Sequence, residues 1–121
     1  MRLFKLKECL KGKSLSRVLQ NQEFKNIAIT GKTIDLGAKS GKASYYRFFS
    51  LDFSEIDYVD LNPTESNVLK IDLEKSLPIQ EKSYNSVLAI NLFEHIFNIQ
   101  DLIKEIYRIL DDEGRLIGST P

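Results

Sequence analysis

One cysteine and one histidine are all that this 121-residue sequence contains, and both scarcities exclude chemistry. Cys9 alone forms no internal disulfide and no multi-cysteine zinc site, and His95 alone builds no His-rich metal centre. An excess of charge is missing too. Seventeen Lys and Arg balance 17 Asp and Glu, so the chain as a whole has no field to draw in nucleic acid or anionic lipid. No apolar run approaches the roughly 18 residues of a membrane span. The basic start never reaches the unbroken apolar stretch of about 7 residues that a secretory signal needs. Repeats, low-complexity tracts and linkers are absent as well. With 42% hydrophobic and 28% charged residues, the chain reads as one ordinary globular domain, with the cytoplasm as its expected location.

What is present begins with a basic segment. Residues 1–24 carry Lys or Arg at positions 2, 5, 7, 11, 13 and 17 against Glu8 and Glu23. Leu3, Leu6 and Leu10, then Leu15, Val18 and Leu19, recur at helical spacing, with Gly12 as a break. That apolar stripe is short and weak for a helix lying on a membrane or nucleic acid. Residues 1–31 therefore read as a helical segment packing on the domain, with its lysines in solvent.

From residue 32 onward, strand-like and helix-like pieces alternate. The strand candidates are "KTIDL" (32–36), "IDYVDL" (56–61), "NVLKID" (67–72), "SVLAIN" (86–91) and "GRLIGS" (114–119). Their apolar residues run together, as in strands buried on both faces. "GKASYYRFF" (41–49) reads as a short helix opened by Gly41. In "NIQDLIKEIYRIL" (98–110), Ile99, Leu102, Ile103, Ile106, Ile109 and Leu110 follow helical spacing. Asn98 and Asp101 form the expected N-cap pair, and Gly114, after three acids, the expected stop. Such alternation predicts a parallel sheet with right-handed crossovers.

Ligands of an open parallel sheet bind beyond the carboxyl ends of its strands, where strand order reverses. The residues just after each strand are thus the candidates. After the first come Asp35, Gly37, Lys39 and Gly41. Gly37 permits positive φ and close approach of a ligand to the backbone, and Gly41 lets a helix start against the crevice. After the second comes Asp60, 23 residues beyond Gly37, close to the spacing at which an acid accepts ribose hydroxyls, although a turn before "NP" also suits Asp. Asp72 and Leu73 follow the third strand, where a base edge and a base face could be met, or where a solvent loop begins. Asn91, Glu94 and His95 follow the fourth. His95 is the one candidate for proton transfer, against packing or substrate-positioning roles; Glu94 beside it points about 100° away on a helix. One imidazole with nearby carboxylates is a thin ligand set, so no metal is expected.

Together "IDLGAKSG", "YVDLNP", "KIDLEKSLPIQEKSYNSVLAINLFEHI" and "LIKEIYRILDDEGRLIGSTP" resemble class I S-adenosylmethionine-dependent methyltransferases, most closely the methyltransferase type 11 group. The resemblance runs from about Lys32 to Pro121. It implies a Rossmann-like α/β sheet of strand order 3-2-1-4-5 with helices on both faces, and S-adenosylmethionine as cofactor. By resemblance, Asp35, Gly37 and Gly41 hold the methionine part and Asp60 the ribose hydroxyls. Asp72 and Leu73 form the adenine site, and Asn91 lines the methionine end. Lys39 stands in place of the usual middle glycine, pointing outward or pairing with the cofactor carboxylate. Metal-using relatives carry Glu where this chain has Asn91, which again argues for no metal. Methyl transfer in such enzymes is a direct displacement in which alignment does much of the work.

Complete members of that family continue past the fifth strand with more helix and two further strands. The resemblance therefore implies the cofactor-binding part of a methyltransferase, truncated after the fifth strand, with its acceptor unspecified. The alternative is a catalytically inactive Rossmann-like module, acting as a partner-binding subunit. Its expected contact, with a second copy or a partner chain, is the exposed edge of the fifth strand.

Overall fold

The computed structural model describes residues 15–38, 40, 43–49 and 55–120. Five strands form one sheet: β1 (Thr33–Leu36), β2 (Ile56–Asp60), β3 (Val68–Lys70), β4 (Tyr84–Ile90) and β5 (Leu110–Ser119). Their order is β3-β2-β1-β4-β5, and every pairing is parallel. The expected Rossmann-like α/β architecture is therefore the observed one. Strand order reverses at β1, which pairs Thr33 with Ile56 of β2 on one side and with Ser86 of β4 on the other.

Continuous apolar runs make β1 and β4 interior strands, because both faces of each are covered. All four residues of β1 are buried, as are Ser86 through Ala89 of β4. Alternation then sends side chains to two cores. Ile34, Leu36, Val87 and Ala89 pack with Leu102, Ile106 and Ile109 of helix α2 (Ile99–Ile109). Tyr58 and Leu88 face the other way, onto Phe24 of helix α1 (Leu15–Phe24) and onto Tyr46 and Phe49. Phe24 stacks on Phe49 with ring centroids 4.3 Å apart, and α1 buries Val18, Asn21 and Phe24 at helical spacing. The two sheet faces thus carry helical cover of different origin, one from each end of the chain. Among the described residues, no helix is long and apolar enough to cross a membrane.

Several local expectations change. Residues 1–14, which carry the first leucine group, lie outside the described residues, so α1 is the part of the N-terminal helical segment that the structure describes. The expected helix at 41–49 is a 3-10 turn, Ser44–Phe48. Strand β4 starts at Tyr84 rather than Ser86, because Tyr84 is buried and its hydroxyl donates to Asp57 Oδ2 at 2.7 Å. Helix α2 buries Leu102, Ile106 and Ile109 but leaves Ile99 and Ile103 on the surface. Asn98 is its N-cap residue without a side-chain cap bond. Glu74 instead fixes the chain entering the helix from across the fold, accepting the N–H groups of Phe97 at 2.7 Å and Asn98 at 3.2 Å.

At the other end of α2, no glycine stops the helix. Leu110 turns extended (φ −77°, ψ 141°) and pairs with Tyr84 at once. The ladder then jumps from Tyr84–Leu110 to Ser86–Arg115, so Asp111 through Gly114 bulge out of it. Asp111 Oδ1 accepts the Glu113 N–H at 3.1 Å inside that bulge. Regular pairing from Arg115 to Ser119 coincides with the strand read from "GRLIGS".

Candidate functional site

A cleft of about 660 Å³ opens at the carboxyl ends of β1, β2, β3 and β4, a size suited to a ligand of cofactor dimensions. Gly37, Asp60, Asp72, Leu73, Asn91 and His95 line it together. Leu61, Ile90, Leu92 and Ile96 supply apolar wall, and Asn62 and Glu74 further polar groups. Residues from four separate stretches converge because each follows a strand that ends at the same rim.

Gly37 leaves β1 with φ +81°, and the N–H groups of Gly37 and Ala38 both donate to Val59 O, at 2.8 and 2.9 Å. A Cβ at Gly37 would sit 2.9 Å from Leu92 Cδ1. The left-handed backbone therefore favours glycine here, and a Cβ would in addition press on the end of the Leu92 side chain. Lys39 and Gly41, the other two expected loop residues, lie outside the described residues.

Asp60 ends β2 half-buried, and its carboxylate has no hydrogen-bond or ion-pair partner among the described residues. Its carbonyl accepts the Ile71 N–H at 3.1 Å, which holds the rim of β2 to the segment carrying Asp72. Asp72 is committed locally. Its Oδ1 accepts the Glu74 N–H at 2.9 Å, and Oδ2 lies 3.9 Å from Lys75 Nζ. That turn presents Leu73, which is buried, to the cleft.

Asp35 is not among the residues lining the cleft. It is fully buried, and Tyr45 and Tyr46 both donate to its Oδ2, at 2.6 and 2.5 Å. Its Oδ1 is buried without a hydrogen-bond partner among the described residues. Burial pushes the carboxyl up to about 7 against the lowering effect of both hydroxyls, because desolvation disfavours the charged form. Burial and the neighbouring acid also push both phenols above their ordinary range.

Asn91 follows β4 in the left-handed region, φ +50°, which Asn tolerates better than most residues. Its N–H donates to Ser119 O at 2.9 Å, and its side-chain oxygen accepts from Ser119 Oγ at 3.2 Å. His95 belongs to a single 3-10 turn, Phe93–His95, not to the long helix, and its side chain is largely exposed at the rim. The His95 Nε2 to Glu94 Oε1 distance is 3.6 Å, too long for a hydrogen bond. Among the described residues, no three His, Cys, Asp or Glu side chains gather as metal ligands would.

Tyr45, Tyr46, Leu92 and Glu74 shape this region without having been singled out from sequence. The adjacent tyrosines ten residues past Asp35 were a usable signal, since a buried acid needs donors. The contacts of Leu92 and Glu74 had no local signal. A second hollow, about 440 Å³, lies at the opposite ends of β4 and β5. Its cations are already engaged there. Lys82 lies 3.2 Å from Asp112, while Arg108 holds Glu105 and the carbonyls of Leu77 and Ile79. The rim cleft is therefore the candidate site.

A methyltransferase domain family matches residues 29–118, a stretch that takes in the sheet up to Gly118, α2 and every cleft residue but leaves α1 outside. Members of that family generally bind S-adenosylmethionine. No curated protein matches the chain. With far more than half of its length matched and the strand order of the fold observed, the chain belongs to the methyltransferase domain family, class I and S-adenosylmethionine-dependent in type.

Proposed function

We propose that the cleft binds S-adenosylmethionine and that the chain serves methyl transfer as its cofactor-binding domain. The observation that carries this reading is the convergence of Gly37, Asp60, Asp72, Leu73 and Asn91 on one cleft at the reversal of strand order. Two features of the structure fit the group. The left-handed Gly37 puts bare backbone at the cleft wall, as a ligand lying against it requires, and Leu61 and Leu73 set apolar surface beside the Asp60 and Asp72 carboxylates, as a nucleoside requires. Asp60 would accept the ribose hydroxyls, having no competing partner among the described residues. Asp72 and Leu73 would hold the adenine, with Leu61, 48% exposed, as further apolar surface beside it. Asn91 would border the methionine end. The acids favour a sulfonium cation by simple Coulomb attraction.

When bound, the cofactor supplies an electrophilic methyl group. This chain's residues hold and orient it, and leave the acceptor to be recognised at the rim near His95. Isothermal titration with S-adenosylmethionine and S-adenosylhomocysteine tests the reading. No detectable heat with either, at high protein concentration, overturns it; a preference for a dinucleotide replaces it with a different nucleotide-binding function.

A second reading, a partner-binding module, is favoured by one observation: β5 pairs only with β4, leaving its other edge open among the described residues. Size-exclusion chromatography decides it, since a clean monomer at high concentration rules out self-pairing through that edge.

A further inference from the structure

We infer that Gln20 is a positioning residue for the cleft and that, through Asn91, it makes helix α1 part of the cofactor site. The inference rests on the proposed cofactor reading and adds to it a residue from outside the family match, which begins at residue 29.

Asn91 is the hub. It lines the cleft, its backbone is left-handed, and its carboxamide is held from outside by two residues distant in sequence. Gln20 Nε2 donates to Asn91 Oδ1 at 3.3 Å, while Asn91 Nδ2 donates to Gln20 Oε1 at 3.4 Å, a reciprocal amide pair. Ser119 Oγ donates to Asn91 Oδ1 at 3.2 Å, and Gln20 Nε2 also reaches Ser119 Oγ. Both polar atoms of the Asn91 side chain are therefore satisfied by α1 and β5. Without Gln20, the Nδ2 group loses its partner among the described residues, and the carboxamide can turn.

Anchoring α1 does not require this pair. Val18, Asn21 and Phe24 are already buried, and Phe24 is stacked on Phe49. What Gln20 adds is the orientation of a cleft residue. Because coupling between sites is reciprocal, a ligand that prefers the held Asn91 must also tighten α1.

The test is Gln20→Ala in the full chain, read in three ways. In ligand-free protein, exchange of the Asn91 amide hydrogen, followed by NMR, should accelerate about tenfold as its bond to Ser119 O loosens. The dissociation constant for S-adenosylhomocysteine should rise about five- to tenfold while the unliganded melting temperature hardly moves. In an Asn91→Gly background, Gln20→Ala should cost no further affinity, since the carboxamide it holds is gone. Unchanged exchange and affinity overturn the inference, and so does an affinity loss that only tracks a large fall in melting temperature. If the wild-type chain binds neither cofactor form, the cofactor reading fails by itself. The exchange measurement then decides alone whether Gln20 holds Asn91.

Discussion

The Tyr45 hydroxyl lies 2.6 Å from Asp35 Oδ2, so the 3-10 turn that follows the β1 loop is tied back to the middle of the sheet by a buried acid. A second hydroxyl, from Tyr46, shares that oxygen. Two donors partly offset the cost of burying a charge, and the carboxyl still rises to about 7. The folded chain therefore keeps a proton that the unfolded chain releases between its ordinary value of 3.8 and about 7. Stability from this group is fully present below the lower value and is lost as pH rises through the upper one, an amount on the order of 4 kcal/mol. Asn in place of Asp35 mimics the protonated acid. Urea denaturation of Asp35→Asn from pH 4 to 8 should lack this decline, and a wild-type-like slope would refute the assignment.

Gly37→Ala carries two penalties, the positive φ and the approach to Leu92. The backbone term alone costs about 1–2 kcal/mol. The variant should lose about that much stability or more, and S-adenosylhomocysteine affinity at least about tenfold. Adding Leu92→Ala removes the contact but not the φ strain, so relative to Leu92→Ala alone the glycine change should cost less than it does in wild type. Chemical denaturation of the four proteins checks this, and full additivity would remove Leu92 from the account.

Asp60→Ala should separate binding from stability. Its carboxylate has no partner among the described residues, so removing it should leave the melting temperature unchanged or slightly raised. Hydrogen bonds to a charged group contribute about 1.5–3 kcal/mol, so affinity for S-adenosylhomocysteine should fall roughly ten- to a hundredfold. Calorimetry beside a thermal melt reads both. A loss of stability without loss of affinity would assign Asp60 to the turn instead.

Arg108 pins the loop before β4. Its guanidinium donates to Ile79 O at 2.7 Å and Leu77 O at 3.0 Å while holding Glu105, whose carboxyl it keeps below the ordinary range. Arg108→Ala should cost about 1.5–3 kcal/mol in urea denaturation. Lys should recover little of it, because one ammonium cannot serve all three acceptors in the guanidinium's fork geometry.

The sheet was legible because its strands are short apolar runs separated by helical spacing, and that pattern reports burial on both faces directly. The cleft was legible residue by residue at Gly37, Asp60, Asp72, Leu73, Asn91 and His95, since topology alone brings strand ends to one rim. Elsewhere long-range contacts decided the outcome. The Asn98 side chain makes no cap bond, and the entry to α2 is held instead by Glu74, a carboxylate from a distant loop that accepts the Phe97 and Asn98 N–H groups. Gly114, after three acids, read as the stop of the helix, yet Leu110 is already paired with Tyr84, a contact invisible in either segment by itself. Gln20 carried no signal at all, as its partner lies far along the chain and an amide on a helix is ordinarily a surface residue.

The place of β1 in the middle of the sheet also sets an order of events. Its partners come from both directions, Ile56 after one crossover and Ser86 only after a second and longer span of chain. A chain emerging from the ribosome can form β1, β2 and β3 first and still have no cleft, because the wall that includes Ile90, Asn91 and Leu92 arrives with β4. Joining β1 to β4 is a pairing of distant segments and hence slow. Until that seam closes, no cofactor can assist folding; once it closes, ligand binding and the last stage of folding draw on the same contacts.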